Sequence, residues 1–160
     1  MKGIIDAKAL AAYICKKFKM DNKEDISPVR LQKTLYFCFA YWGGFVRKST
    51  LENSGELNFN GLSENLFDNR IEAWVYGPVI PDVYFDSNIE RFYNENLFQD
   101  KKMVQDIVDN VIEDTYSIND FRLVDISHKD QSWISKFDYD EQYHNNEIIK
   151  EDIIDEYARK

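Results

Sequence analysis

SPVRLQKTLYFCFAYWGGF, Ser27 to Phe45, is the one stretch of the chain that is apolar on nearly every side, and a helix apolar all round is one that the rest of a domain encloses. Ser27 is placed to cap it, and Pro28 takes the first helical position, where a missing N–H costs nothing. After Val29, a stripe of Leu31, Leu35, Cys38 and Trp42 repeats at spacings of four, three and four, with Tyr36, Phe37, Phe39 and Tyr41 on its flanks. Gly43-Gly44 marks the expected stop. The uncharged run from Thr34 to Val46 is 13 residues long, short of the roughly 17 to 25 that a membrane span requires. The expectation is a buried central helix in a mainly helical fold with a small β-ribbon, and no membrane association.

Other segments supply the enclosure. Ala7, Leu10, Ala11, Ile14 and Phe18 repeat as a helix stripe over 6–19, with Asp6 as its cap and lysines opposite. Residues 101–114 have clean helical spacing, Asn119 is placed to cap a helix carrying Phe121, Leu123 and Val124 and closing near Ser127-His128, and Trp133, Ile134 and Phe137 form a short apolar cluster. A last helix is expected over 146–158, burying Ile149, Ile153 and Tyr157. The Ser-, Asn- and Gly-rich segment 48–69 reads as a loop with one edge strand at Leu57 and Phe59. Arg70–Tyr76 alternates and is expected to pair with that strand. Pro81 opens a short helix with Val83 and Tyr84, and 86–100 reads as irregular. With 160 residues and no repeat or linker, the expectation is a single domain, 1–160.

The net charge of −9 is unevenly spread: residues 1–81 hold 11 basic and 9 acidic side chains, and residues 82–160 hold 9 and 20. The acidic half would be repelled by a nucleic-acid backbone, while Lys8, Lys16, Lys17, Lys19 and Lys23 read as the wet face of one helix, so direct nucleic-acid binding is not expected. The acidic half reads either as a solvated surface or as a docking face, for a basic protein or as a nucleic-acid mimic. Cys15 and Cys38 both lie on apolar helical patterns and read as reduced thiols. MKGIIDAKAL shows no export signal, so the cytoplasm is the expected location.

Chemistry-bearing motifs are sparse. There is no phosphate loop, dinucleotide fingerprint, CxxC, HExxH or GxSxG, and no cofactor is expected. His128, among Asp125, Ser127 and Asp130, has the surroundings of a general base, but a lone histidine at a helix end is more commonly a cap or a packing residue. His144 could join Asp138, Asp140 and Glu141 around a metal, yet their spacing fits neither an EF-hand nor a zinc pattern, and no metal is expected. The Gly77-Pro78 turn is more informative, because it rigidly places Trp74 and Tyr76.

Three blocks together resemble the Panacea family of antitoxin domains, which includes SocA-like proteolytic adaptors and phage-associated proteins. RLQKTLYFCFAYW, Arg30–Trp42, is similar to the family's LQKLLYFAYGW. IEAWVYGPVIPDVY, Ile71–Tyr84, is close to EAWxYGPVxPxVY. LVDISHKDQSW, Leu123–Trp133, resembles LSxLTHxxxPW, with Ser127 for the threonine and Ser132 for the proline. The resemblance implies a compact helical domain that binds another protein and has no catalytic residue to carry over. Its partner would be a toxin encoded nearby or a host or phage defence protein, and the acidic half of the chain favours a basic one. The rigid turn makes Trp74, Tyr76, Gly77, Pro78, Val79 and Tyr84 the candidate partner-binding set, although rings so placed are more commonly core, and the resembled motifs supply a structural set of Leu31, Gln32, Lys33, Leu35, Tyr36, Trp42, His128 and Trp133. Alternatives within that reading are an adaptor delivering a bound toxin to a protease and a phage-encoded acidic inhibitor of a defence nuclease. The competing class is a small hydrolase using His128.

Overall fold

The computed structural model describes residues 2–52, 61–140 and 146–160. Its axis is α2, Pro28–Leu51, whose N-terminus is capped by Ser27: the hydroxyl accepts from the Arg30 N–H, with Pro28 at the first position. Between Arg30 and Val46 only Leu31, Tyr41 and Phe45 escape full burial. Leu35, Cys38 and Trp42 are wholly enclosed, and the Trp42 indole N–H finds Ser63 O at 2.9 Å. Arg30 is buried as well; its guanidinium pairs with Asp120 at 2.9 Å and donates to Thr115 O at 2.7 Å and to Ile118 O.

The expected stop at Gly43-Gly44 is not there, and the helix runs two further turns. The two glycines instead admit α7, Lys150–Ala158, to the surface of α2. A Cβ on Gly43 would lie 2.6 Å from Ile154 Cγ1 and 2.9 Å from Glu64 O, and one on Gly44 would lie 2.7 Å from the Tyr157 backbone. Close approach, which raises the contact area per residue, outweighs the helix penalty of about 1 kcal/mol per glycine. Gly44→Ala is therefore expected to destabilise the fold by about 1–3 kcal/mol, because the neighbour is main chain and cannot swing aside. Urea unfolding measures it, and a neutral or stabilising result would show that α7 is free to shift.

The other helices pack around α2. In α1, Ala7–Asn22, the Asp6 carboxylate accepts from Lys8 N and the stripe Ala7, Leu10, Ala11, Ile14, Phe18 is buried. α3, Pro81–Tyr84, and a 3-10 turn at Ile89–Phe92 lie beside it. α4, Lys102–Thr115, buries Val104, Val108, Val111 and Ile112, and α5, Asp120–Ser127, is capped by Asn119 accepting from Arg122 N. Phe121, expected in the core, is exposed; two residues from Leu123 is 200° around a helix, off the face that α5 buries. α6 is the short turn Gln131–Ile134. α7 begins four residues later than expected, because 146–149 is extended: Ala73 N–H donates to Asn146 O at 2.9 Å and Ile148 N–H to Ile71 O at 2.8 Å. The strand-like alternation buries Ile148 and leaves Ile149 exposed, reversing the helical expectation.

The expected small ribbon is present. Leu57 and Phe59 lie outside the described residues, and the observed partner of β1, Glu72–Trp74, is β2, Gly77–Val79, with Ala73 opposite Pro78. The GPV segment is thus both the end of the turn and the second strand. Among the described residues no helix is long and apolar enough to cross a membrane. Cys38 is buried and Cys15 half-buried, both as free thiols, and burial pushes the Cys15 thiol up to about 11 and Cys38 higher still.

Candidate functional site

Val75 and Tyr76 form the two-residue tip of the hairpin and keep negative φ, and the reversal is completed by Gly77 at φ +105°. A side chain there would be strained, and its Cβ would sit 2.4 Å from Ser127 Oγ. The strands are only three residues long, too short to hold themselves in water. What fixes them is a set of side chains from the helices beneath.

Five main-chain groups of the hairpin and the residue after it are taken by four side chains. Trp133 Nε1 donates to Trp74 O at 2.9 Å, and His128 Nε2 donates to Val75 O at 2.9 Å. Lys33 Nζ donates to Pro78 O at 2.6 Å. The Gln32 amide grips Ile80 twice, accepting from its N–H at 2.8 Å and donating to its carbonyl at 3.4 Å, as a neighbouring strand would. All four clasping residues come from the first and third sequence blocks, and what they clasp is the second. An unpaired buried carbonyl or N–H costs about 1–3 kcal/mol, so each clasp both satisfies the backbone and fixes its position.

Lys33 is 1% exposed, and burial alone pulls its ammonium down from the ordinary lysine range to about 7. His128 is held below the ordinary imidazole range, chiefly by burial, with the Val75 carbonyl opposing and the Lys33 charge adding to the lowering. Because a carbonyl accepts from Nε2, that nitrogen carries the proton. The ring stacks on Trp133 at 4.3 Å, and Trp133 on Phe137 at 4.8 Å. Of the groups beside His128 in sequence, Ser127 is wholly buried and donates to Val124 O, and Asp130 faces the opposite way, accepting from the Tyr36 and Tyr157 hydroxyls. Burial raises the Asp130 carboxyl above its usual range, while the two tyrosine hydrogen bonds and Lys160 at 3.6 Å work against that rise.

Glu156 of α7 caps α6, accepting from Gln131 N at 2.7 Å and Ser132 N at 3.1 Å. Proline, which the resembled pattern has at position 132, offers no N–H for this bond. Serine therefore ties α6, and with it Trp133, to the C-terminal helix.

The outward side of the hairpin is aromatic. Tyr76, Tyr84 and Phe85 are 62%, 54% and 74% exposed, and Trp74 lies half-buried between them, 4.7 Å from Tyr84 and 6.0 Å from Phe85. Its indole N–H is held by Glu72 at 2.9 Å. Of the six residues expected to meet a partner, Trp74, Tyr76 and Tyr84 reach the surface. Gly77, Pro78 and Val79 are buried beneath them. Phe85 was not foreseen; it follows the motif directly, at the end of the four-residue α3, where the chain turns outward.

Of the candidate metal ligands, Glu141 and His144 lie outside the described residues, and among the described residues no three His, Cys, Asp or Glu side chains gather to hold an ion. The arrangement is one that holds and presents a surface: a braced hairpin with large rings facing out. Residues 56–134 match the family model described as antitoxin SocA-like, Panacea domain, so the resemblance carried by the motif blocks is shown over that stretch. The match covers the second and third blocks whole, points to a toxin–antitoxin type of role, and implies a protein toxin as partner. No curated protein and no solved structure matches the chain.

Proposed function

We propose that this chain is an antitoxin-like inhibitor that neutralises a protein toxin by direct contact, without catalysing a reaction, and that the aromatic face of the hairpin is the contact. The observation that carries the reading is the contrast between the two sides of one small element. Inside, four side chains from three places, two on α2, one at the end of α5 and one on α6, hold its backbone; outside, Tyr76, Tyr84 and Phe85 stand in solvent. Exposed rings on a braced mount suit binding, since aromatic anchors dominate interface energetics and a preorganised anchor loses little entropy when a partner arrives. The imidazole of His128 fits support rather than proton transfer, with Nε2 committed to Val75 and one face covered by Trp133.

The test is co-expression with the toxin-like product of the neighbouring gene, followed by rate measurements on the purified pair. Tyr76→Ala and Tyr84→Ala are expected to speed dissociation at least about 30-fold, the scale of an interface hot spot. The melting temperature should hold within about 2 °C, because both side chains are more than half exposed. Unchanged dissociation in both variants would overturn the assignment of the surface.

A further inference from the structure

We propose that Glu156, on the C-terminal helix, is a positioning residue for the binding face: by capping α6 from outside it sets where Trp133 stands, and with it the incoming arm of the hairpin. The inference rests on the reading that the outward side of the hairpin is the contact. That hairpin has two separate supports. Gln32 and Lys33 of α2 hold the outgoing arm at Ile80 and Pro78. The incoming arm hangs on Trp133, which donates to Trp74 O, and on His128, which donates to Val75 O and lies stacked on the Trp133 ring. Displacing Trp133 therefore disturbs both bonds.

Trp133 is the third residue of α6, which has only four, so α6 draws its helical form from what packs on it. The residue placed to cap it, Asp130, makes no capping bond. Its carboxylate is buried and faces α2 and α7, accepting from the Tyr36 and Tyr157 hydroxyls. The cap comes from α7 instead: one carboxylate oxygen of Glu156 accepts from Gln131 N–H at 2.7 Å and the other from Ser132 N–H at 3.1 Å. A charged acceptor using both oxygens on adjacent N–H groups at a helix start fixes orientation as well as distance. The C-terminal segment also reaches the incoming arm directly. Asn146 O accepts from Ala73 N–H and Ile148 N–H donates to Ile71 O, while the Asn146 amide donates to Lys136 O, just beyond α6, at 2.8 Å. Since Gly43 and Gly44 seat α7 closely on α2, the central helix is linked through α7, Glu156, α6 and Trp133 to the main chain of Trp74, two residues before Tyr76.

The first test is hydrogen exchange on the full chain alone, followed by NMR. Rates for the Trp133 indole N–H and the hairpin amides are each divided by those of the α2 core amides, so that a loss of global stability cancels. Glu156→Ala is expected to raise these ratios at least about fivefold, and Glu156→Gln, which keeps one acceptor oxygen, by less. Glu151→Ala, which breaks the ion pair of α7 with Arg47 without touching α6, should leave them unchanged. In the complex with the neighbouring gene product, Glu156→Ala should speed dissociation about three- to tenfold. That increase should shrink to less than about twofold in a Trp133→Phe background, where the indole N–H that reaches Trp74 is gone. Unchanged ratios in Glu156→Ala, an equal rise in Glu151→Ala, or independent effects of Glu156→Ala and Trp133→Phe on dissociation would overturn the proposal. Failure of the contact reading shows separately, as dissociation unaltered by Tyr76→Ala and Tyr84→Ala, and the exchange ratios then decide the role of Glu156 without a partner.

Discussion

Between about pH 7.5 and pH 9.5 the protein is expected to gain stability relative to a Lys33→Met variant, by up to about 1.4 kcal/mol per pH unit. The sign follows from the direction of the shift. Lys33 titrates near 7 when folded and near 10.5 when free, so in the window between, the unfolded chain binds a proton that the folded chain does not. Stability then rises with pH. Below about 7 both states are protonated and the cost of burying an ammonium is fully present; above 10.5 neither is, and the cost is gone. The whole span is on the order of 5 kcal/mol. Other groups titrate nearby: burial raises the Cys15 and Cys38 thiols and Tyr36 and Tyr157, which lowers stability above their free values, while Lys150 is lowered and adds to the rise. All of these remain in the variant, so the difference between the two curves isolates Lys33. Losing the bond to Pro78 O displaces the variant's curve vertically by about 1–3 kcal/mol without changing its slope. Parallel curves in urea unfolding across the window would show that Lys33 stays charged when folded. An independent reading is the His128 imidazole, which the Lys33 charge lowers; below pH 7 its titration should move upward in the variant.

Lys33 also marks the limit of what the sequence discloses. Hydrophobic periodicity locates α2, its cap at Ser27 and its enclosed core because those depend on local spacing. The same reasoning assigns a lysine to the water, and only the motif singled out Gln32 and Lys33. Their partners, Ile80 and Pro78, are 48 and 45 residues away, a separation to which no local pattern is sensitive. Gly43-Gly44 was misread for a related reason: glycine serves both a helix end and a close approach, and only the position of α7 decides between them. The pairing of Glu72–Trp74 with Gly77–Val79 was not legible because Gly-Pro reads as punctuation, whereas Gly77 turns the chain and also pairs with Trp74. The aromatic residues of the site were legible as a group, but which of them face outward depends on the depth at which the clasps hold the hairpin.

Gly77→Ala is the substitution expected to damage that hold most, at about 4 kcal/mol. Two separate costs add: a side chain at φ +105°, worth about 1–3 kcal/mol of backbone strain, and a Cβ placed 2.4 Å from Ser127 Oγ, worth about 1–3 kcal/mol as an overpacked contact. They can be measured apart, because only the second depends on Ser127. Ser127→Ala alone should cost less than about 1 kcal/mol: its hydroxyl donates to Val124 O, a carbonyl that also accepts from the His128 N–H. In the double variant the overpacking term should vanish while the strain remains, giving a coupling of about 1–3 kcal/mol in the direction of rescue. The next neighbours, Lys33 Cε and Nζ at 3.1 and 3.2 Å, belong to the end of a flexible side chain and can yield. The same cycle can be applied to a complex with the proposed toxin partner. If the hairpin's depth sets how Tyr76 and Tyr84 are presented, the faster dissociation expected of Gly77→Ala should be partly restored by Ser127→Ala. Simple additivity in stability, within about 0.5 kcal/mol, would mean that the turn escapes Ser127 by moving outward and that the clasps of Lys33 and His128 do not fix its position.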